Sequence, residues 1–176
     1  MAKEAKISRI IIEETIKLEL EKPLEWLEQK ELAEDPNDFQ LPREQILADI
    51  ICELVTVLRP TDKIQHEGRL FTDLFNREKR ASTALDHGVA VPHVRTPHIK
   101  DLAIGFARTS HPIEWGAMDG QPVDLFFVMA APPYDDTLYN KLWQKLAGFL
   151  QFEDVRQRLR YATDPGEIIM IIRKEE

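Results

Sequence analysis

"MDGQPVDLFFVMAAPP", residues 118–133, decides the fold. Asp119-Gly120 is a turn signal. The run from Val123 to Ala130 is apolar on both faces apart from Asp124. A strand without a polar face has to be covered on both sides, so this one belongs inside a sheet with helices above and below it. The flanking segments supply those helices. Between Arg43 and Leu58, the residues Ile46, Leu47, Ile50, Ile51, Leu54, Val55 and Leu58 recur at helical spacing, and Pro60 ends the helix. A second helix is expected near 64–78, with Leu70, Phe71, Leu74 and Phe75 as its stripe and Arg77 at its end. Leu138, Leu142, Leu146 and Leu150 mark a helix over 137–151, and another covers about 152–161. "TDPGEIIMIIRKEE", 163–176, places Asp164 as N-cap, Pro165 at the first helical position and Glu167 three residues beyond the cap. Shorter strands are expected in "TIKLEL" (15–20), "GVAVPH" (88–93) and "LAIGFAR" (102–108). Strands among helices predict an α/β sandwich, a single domain over 1–176. Residues 21–42 are acidic and bounded by prolines, and are expected as an insertion or surface flap.

The whole chain narrows the function. Its 176 residues suit one domain with a substantial core. The formal net charge of −8 argues against nucleic acid, because phosphate backbones need clustered Lys and Arg. Here the basic residues are mixed with acids or apolar residues, as in "REKR" (77–80) and "RQRLR" (156–160). No apolar run has membrane-spanning length, and "MAKEAKISRI" lacks the features of a signal peptide. The lone Cys52 cannot form an internal disulfide and is expected as a buried thiol of the first long helix. These features predict a cytoplasmic protein with no direct membrane insertion and no nucleic-acid partner.

Three of the five histidines lie in "ALDHGVAVPHVRTPH", 84–98. As metal ligands, His87, His93 and His98 would need a shared helical face or a Cys/His ribbon. The extended Val89–Pro92 run and Pro97 deny the first, and there is one cysteine. As the base of a hydrolase, a histidine would need a nucleophile elbow, and Ser82 and Ser110 have no such setting. In the third reading a histidine is itself the nucleophile and carries a phosphoryl group on a ring nitrogen. That chemistry needs a rigid strand end, backbone N–H groups and a cation. Gly88 permits close approach, Val89–Val91 form the strand, Pro92 sets the entry to His93, and Arg77 and Arg95 are the candidate cations. From these residues alone a phosphoryl-accepting His93 and a plain strand-end His93 both stay open. His98 and His111 read as structural, and neither a cofactor nor a metal is called for.

"NREKRASTALDHGVAVPH", 76–93, resembles the phosphohistidine signature of the enzyme IIA components of the bacterial phosphoenolpyruvate-dependent phosphotransferase system, fructose/mannitol class, including the nitrogen-regulatory IIA proteins. The likeness continues through "PIEWGAMDGQPVDLFFVMAAP" and "FEDVRQRLRYATDPGEIIMII", and reaches back to "IIIEETIKLEL". Only about 21–42 falls outside it. The resemblance implies an α/β sandwich around a mixed sheet. It implies His93 as the phosphorylated residue, Arg77 as the phosphate's charge partner, the histidine phosphocarrier protein as donor, and an acceptor IIB-type or regulatory protein as the next partner.

The chain departs from the family pattern in three places. Tyr139 stands where many relatives carry a second active-site histidine, and a phenol offers no cation near neutral pH. Asp86 stands where Gly or Ala is usual, and its carboxylate would repel a phosphoryl group unless His87 or Arg77 pairs with it. Val94 replaces a small residue and is expected to crowd His93. His87 is expected near the site as a bystander or as a substitute for the missing histidine. A phosphoryl carrier is therefore weighed against a regulatory binding module that keeps the fold without transferring phosphate.

Overall fold

A computed structural model describes residues 4–134 and 136–176. Five strands form one mixed sheet: β1 (Ile16–Lys17), β2 (Val89–Ala90), β3 (His93–Arg95), β4 (Ala103–Ile113) and β5 (Val123–Ala131). Six helices accompany them: α1 (Glu21–Leu32), α2 (Arg43–Leu58), α3 (Glu67–Arg80), α4 (Asp136–Leu150), α5 (Glu153–Tyr161) and α6 (Pro165–Glu175). β4 and β5 pair antiparallel at the centre, β1 runs parallel to β4, and β2 and β3 both run parallel to β5. β2 and β3 are thus successive pieces of one edge strand, interrupted at Val91-Pro92. Proline is tolerated there because an edge strand does not need every N–H.

Alternation along β5 divides the core in two. Leu125, Phe127, Met129 and Ala131 pack under α4, α5 and α6. Phe126, Val128 and Ala130 pack with α2, α3 and Trp115. The apolar reading of both faces therefore holds, and the molecule is the expected α/β sandwich. Asp124, the polar exception, has a local cause: Arg160 of α5 grips both of its oxygens at 2.7 and 2.9 Å. Asp164 caps α6 as its sequence predicts, accepting from the Glu167 N–H at 2.9 Å.

Residues 21–42 are more regular than a flap. α1 is a three-turn helix that docks on α2 through polar groups. The Glu53 carboxylate, buried on α2, accepts from the Glu21 N–H at 2.7 Å and the Lys22 N–H at 3.1 Å, and pairs with Lys17 Nζ at 2.9 Å. It thereby serves two N–H groups at the helix start that have no partner within the helix. Asp49 accepts from Trp26 Nε1 at 3.1 Å. The residue just before Glu53 corrects another expectation. Cys52 is exposed, because the inward face of α2 takes Ile51, Glu53, Leu54 and Val55 instead. Glu53→Ala leaves two donors without their carboxylate, so urea unfolding should show a loss of about 2 kcal/mol. Hydrogen exchange in α1 should speed up more than in β5.

Candidate functional site

His93 opens β3, and its environment follows from the edge strand. Its Nδ1 lies 2.5 Å from the Val91 carbonyl oxygen. A carbonyl can only accept, so Nδ1 carries the proton and the lone pair is left on Nε2. The ring stacks on Trp143 of α4, with centroids 4.9 Å apart and planes 26° from parallel. The Tyr139 ring, one turn earlier on α4, is 6.1 Å away. His93 is mostly buried, and burial, with a smaller push from the Arg77 charge, lowers its pKa from the ordinary 6.5 against the opposing pull of the Val91 carbonyl. The imidazole is therefore neutral at neutral pH, with Nε2 nucleophilic.

A hydrogen-bond chain anchors that carbonyl. The Glu78 carboxylate accepts from the Thr83 N–H at 2.7 Å, the Thr83 hydroxyl at 2.5 Å and Trp115 Nε1 at 2.8 Å. The Thr83 carbonyl in turn accepts from the Val91 N–H at 3.1 Å. Glu78 is buried, and burial pushes its pKa up against those three hydrogen bonds. The chain holds Val91 by its N–H, and the carbonyl of the same residue meets the His93 ring.

Arg77 and Arg95 approach from opposite layers. Arg77 ends α3 on the α2 side of the sheet, donates to the Ala81 carbonyl at 2.9 Å, and is close enough for its charge to act on both His93 and Tyr139. Arg95 follows His93 by two residues, so both side chains project from the same face of β3. Its guanidinium lies 5.7 Å from the Tyr139 ring centroid and pairs with Asp136 at the start of α4. Burial raises the Tyr139 phenol to about 12, against the two arginines, so it remains a neutral hydrogen-bond donor.

The structure brings His93, Arg77, Tyr139 and Arg95 together, and leaves Asp86 and His87 out. The expectation that His87 lies near His93 is corrected by the sheet register. Gly88 bonds to Asp124 and Leu125 of β5, whereas His93 aligns with Met129. Leu125 to Met129 is roughly 13 Å along a strand. Both Asp86 and His87 are exposed. His87 has φ 67° and its N–H donates to Asp119 at 2.8 Å. Gly88 has φ 82°, and a Cβ there would sit 2.9 Å from Arg160 Nη2, so this glycine makes room for the Arg160–Asp124 pair and not for a phosphate. Val94 does not crowd His93 either. Strand alternation turns it to the opposite face, where it packs with the α2–α3 core. His98 stands with α3, its ring 5.6 Å from that of His66. Trp143, Glu78 and Asp136 were missed. Trp143 could have been found from its position four residues after Tyr139 on the same helix.

Residues 43–175 match the family described as "Phosphoenolpyruvate-dependent sugar phosphotransferase system, EIIA 2". The chain belongs to this family. It is 36% identical over 108 residues to a nitrogen regulatory protein of Bradyrhizobium diazoefficiens, covering 61% of this chain and 71% of that protein. It is 30% identical over 128 residues to the fructose-specific EIIABC component of Bacillus subtilis, covering 73% of this chain but only 20% of that much longer protein. The crystal structure of nitrogen regulatory protein IIA-Ntr from Neisseria meningitidis superposes with a TM-score of 0.75 at 26% identity, over 94% of this chain and 98% of that one. The mannitol IIA enzyme of Escherichia coli, solved in complex with phosphorylated IIB, shares the fold at TM-score 0.67 and 17% identity, over 93% of this chain and 97% of that one. Among the described residues no helix is long and apolar enough to cross a membrane, and no group of three or more His, Cys, Asp or Glu is placed to hold a metal ion.

The lowered pKa has a measurable consequence. By NMR, His93 should titrate below 6.5, and Arg77→Ala should raise its midpoint. Because the folded value lies below the unfolded one, the unfolded chain takes up this proton first as the pH falls. Stability should therefore drop through that window, and His93→Ala should remove that part of the drop.

Proposed function

We propose that this IIA protein is a phosphoryl carrier that accepts a phosphoryl group on His93 Nε2 from the histidine phosphocarrier protein. It then passes the group to an IIB-type acceptor, or its phosphorylation state acts as a regulatory signal. One observation carries the reading: a neutral imidazole whose Nδ1–H is fixed on the Val91 carbonyl, with the Arg77 charge beside it. The tautomer directs the lone pair of Nε2 at the donor, and no proton has to leave before attack. Arg77 offers a planar fork to the phosphoryl oxygens. The nitrogen-regulatory relatives support the signalling branch, and the IIA–IIB complex of the mannitol enzyme supports the acceptor. On this reading residues 21–42 are an insertion on a single IIA domain that works in the cytoplasm.

The second reading, a binding module that no longer transfers phosphate, is favoured by Tyr139, which brings no cation to the site. One experiment separates them. The protein is incubated with phosphoenolpyruvate, the first phosphotransferase enzyme and the histidine phosphocarrier protein, and its intact mass is read at alkaline pH. The expected result is one acid-labile phosphoryl group, absent from His93→Ala. An unmodified wild type would establish the binding module, and a modified His93→Ala would move the site elsewhere. Tyr139→His should speed transfer by about tenfold, a low value for a helper hydrogen bond made in the transition state.

A further inference from the structure

We propose that Arg95 is a second phosphate-binding cation, held in reserve on Asp136 and drawn to the phosphoryl group when His93 accepts it. The inference rests on the carrier reading and adds to it the residue that supplies the charge Tyr139 lacks.

The geometry begins with the strand. His93 and Arg95 both face α4, and α4 answers with three side chains in two turns: Asp136, Tyr139 and Trp143. Trp143 covers the His93 ring. Tyr139 stands between the two β3 side chains, its ring 6.1 Å from the His93 ring and 5.7 Å from the Arg95 guanidinium. Asp136, one turn before Tyr139, holds Arg95 in an ion pair. Arg95 and Arg77 are the two cations whose charge is felt at Tyr139. They approach the phosphoryl position from the two layers of the sandwich, and Arg77 alone would leave the α4 side without a positive charge.

The pair with Asp136 is suited to exchange. The side chains are 44% and 62% exposed, so water screens the attraction and little is lost when it opens. A phosphoryl group carries more charge than one carboxylate and offers three acceptor oxygens to the guanidinium fork. Asp136 also repels an incoming phosphoryl group unless Arg95 neutralises it, so the carboxylate restrains the reaction as well as storing the cation. The transfer balances without another reactant. The Nε2 lone pair of neutral His93 forms the new N–P bond as the donor's N–P bond breaks. The donor nitrogen keeps that electron pair, and the proton stays on Nδ1, hydrogen-bonded to the Val91 carbonyl.

The test compares single-turnover phosphorylation of the full chain by the phosphorylated histidine phosphocarrier protein. Arg95→Gln should be slower by about tenfold, the loss of one charge-assisted contact, and Arg95→Lys should recover part of it. Asp136→Asn should be faster by about threefold, as expected for release from a screened ion pair. The double variant should be slower than the wild type but faster than Arg95→Gln, because it also removes the carboxylate that Arg95 no longer neutralises. A wild-type rate for Arg95→Gln overturns the cation, and an unchanged or slower Asp136→Asn overturns the reserve. A second arm uses phosphoramidate, a small donor that needs no protein partner, and follows the Arg95 side-chain nitrogen signal by NMR. That signal should move when His93 is phosphorylated in the wild type, and a static signal overturns the exchange. If phosphoramidate modifies His93 while the protein donor does not, the carrier reading fails and the Arg95 exchange is still decided by the NMR arm.

Discussion

Burial of β5 on both faces is the constraint from which the rest follows. A strand carrying Leu125, Phe127 and Met129 on one side and Phe126 and Val128 on the other is stable only between two helical layers. The edge strand beside it therefore ends between α3 on one face and α4 on the other. Most of its side chains join one core or the other, as Val94 does, but His93 at the strand end meets residues from both layers. His93 lies there, with Arg77 arriving from one layer and Tyr139 and Trp143 from the other. The site is thus a consequence of how the sheet is covered, and it needs no separate scaffold.

Within that edge, the proposed transfer depends on a nucleophile that is desolvated yet reachable. Burial lowers the pKa of His93, which keeps Nε2 unprotonated. The same burial would disfavour a phosphoryl dianion, and guanidinium groups offset this where an uncharged phenol cannot. The Glu78–Thr83–Val91 chain addresses a different requirement. It holds Val91, whose carbonyl accepts from Nδ1 and so sets the tautomer, through the Thr83 backbone and the buried Glu78 carboxylate. Orientation is thus assigned to the Val91 carbonyl and its supports, and charge compensation to the arginines.

Much of this was legible in the sequence, and the gaps have physical causes. Helical spacing located α2 to the residue, because seven apolar positions in one face leave little freedom. β2 was visible as an aliphatic run ending at proline, whereas β3, which continues the edge beyond that proline to Arg95, was not. The alternation that turns Val94 away from His93 was equally available, but it was outweighed by closeness in sequence. Asp86 and His87 misled for the same reason: a strand carries neighbours apart by about 3.3 Å per residue, so a few positions are enough to leave a site. Asp124 and Glu53 looked like ordinary acids of an acidic chain. Their roles lie in partners 36 and 32 residues away, in Arg160 and in the backbone of Glu21, which no local pattern reports.

On the proposed reading of 21–42 as an insertion, α1 shows how the fold takes additional chain without disturbing His93. α1 follows directly on β1, at the sheet edge opposite β3, and packs against α2 and the far end of β4. The part of the chain matched to the family begins after it, at residue 43. A helix inserted between β1 and α2 lengthens a surface connection, and the entropic cost of that grows slowly with length. What it must satisfy locally is its own first turn, and Glu53 on α2 does so. On that reading the segment adds surface at one edge of the sheet while the hydrogen bonds that orient His93 run along the other. A change at α1 need not reach His93, because the central pair, β4 and β5, separates them.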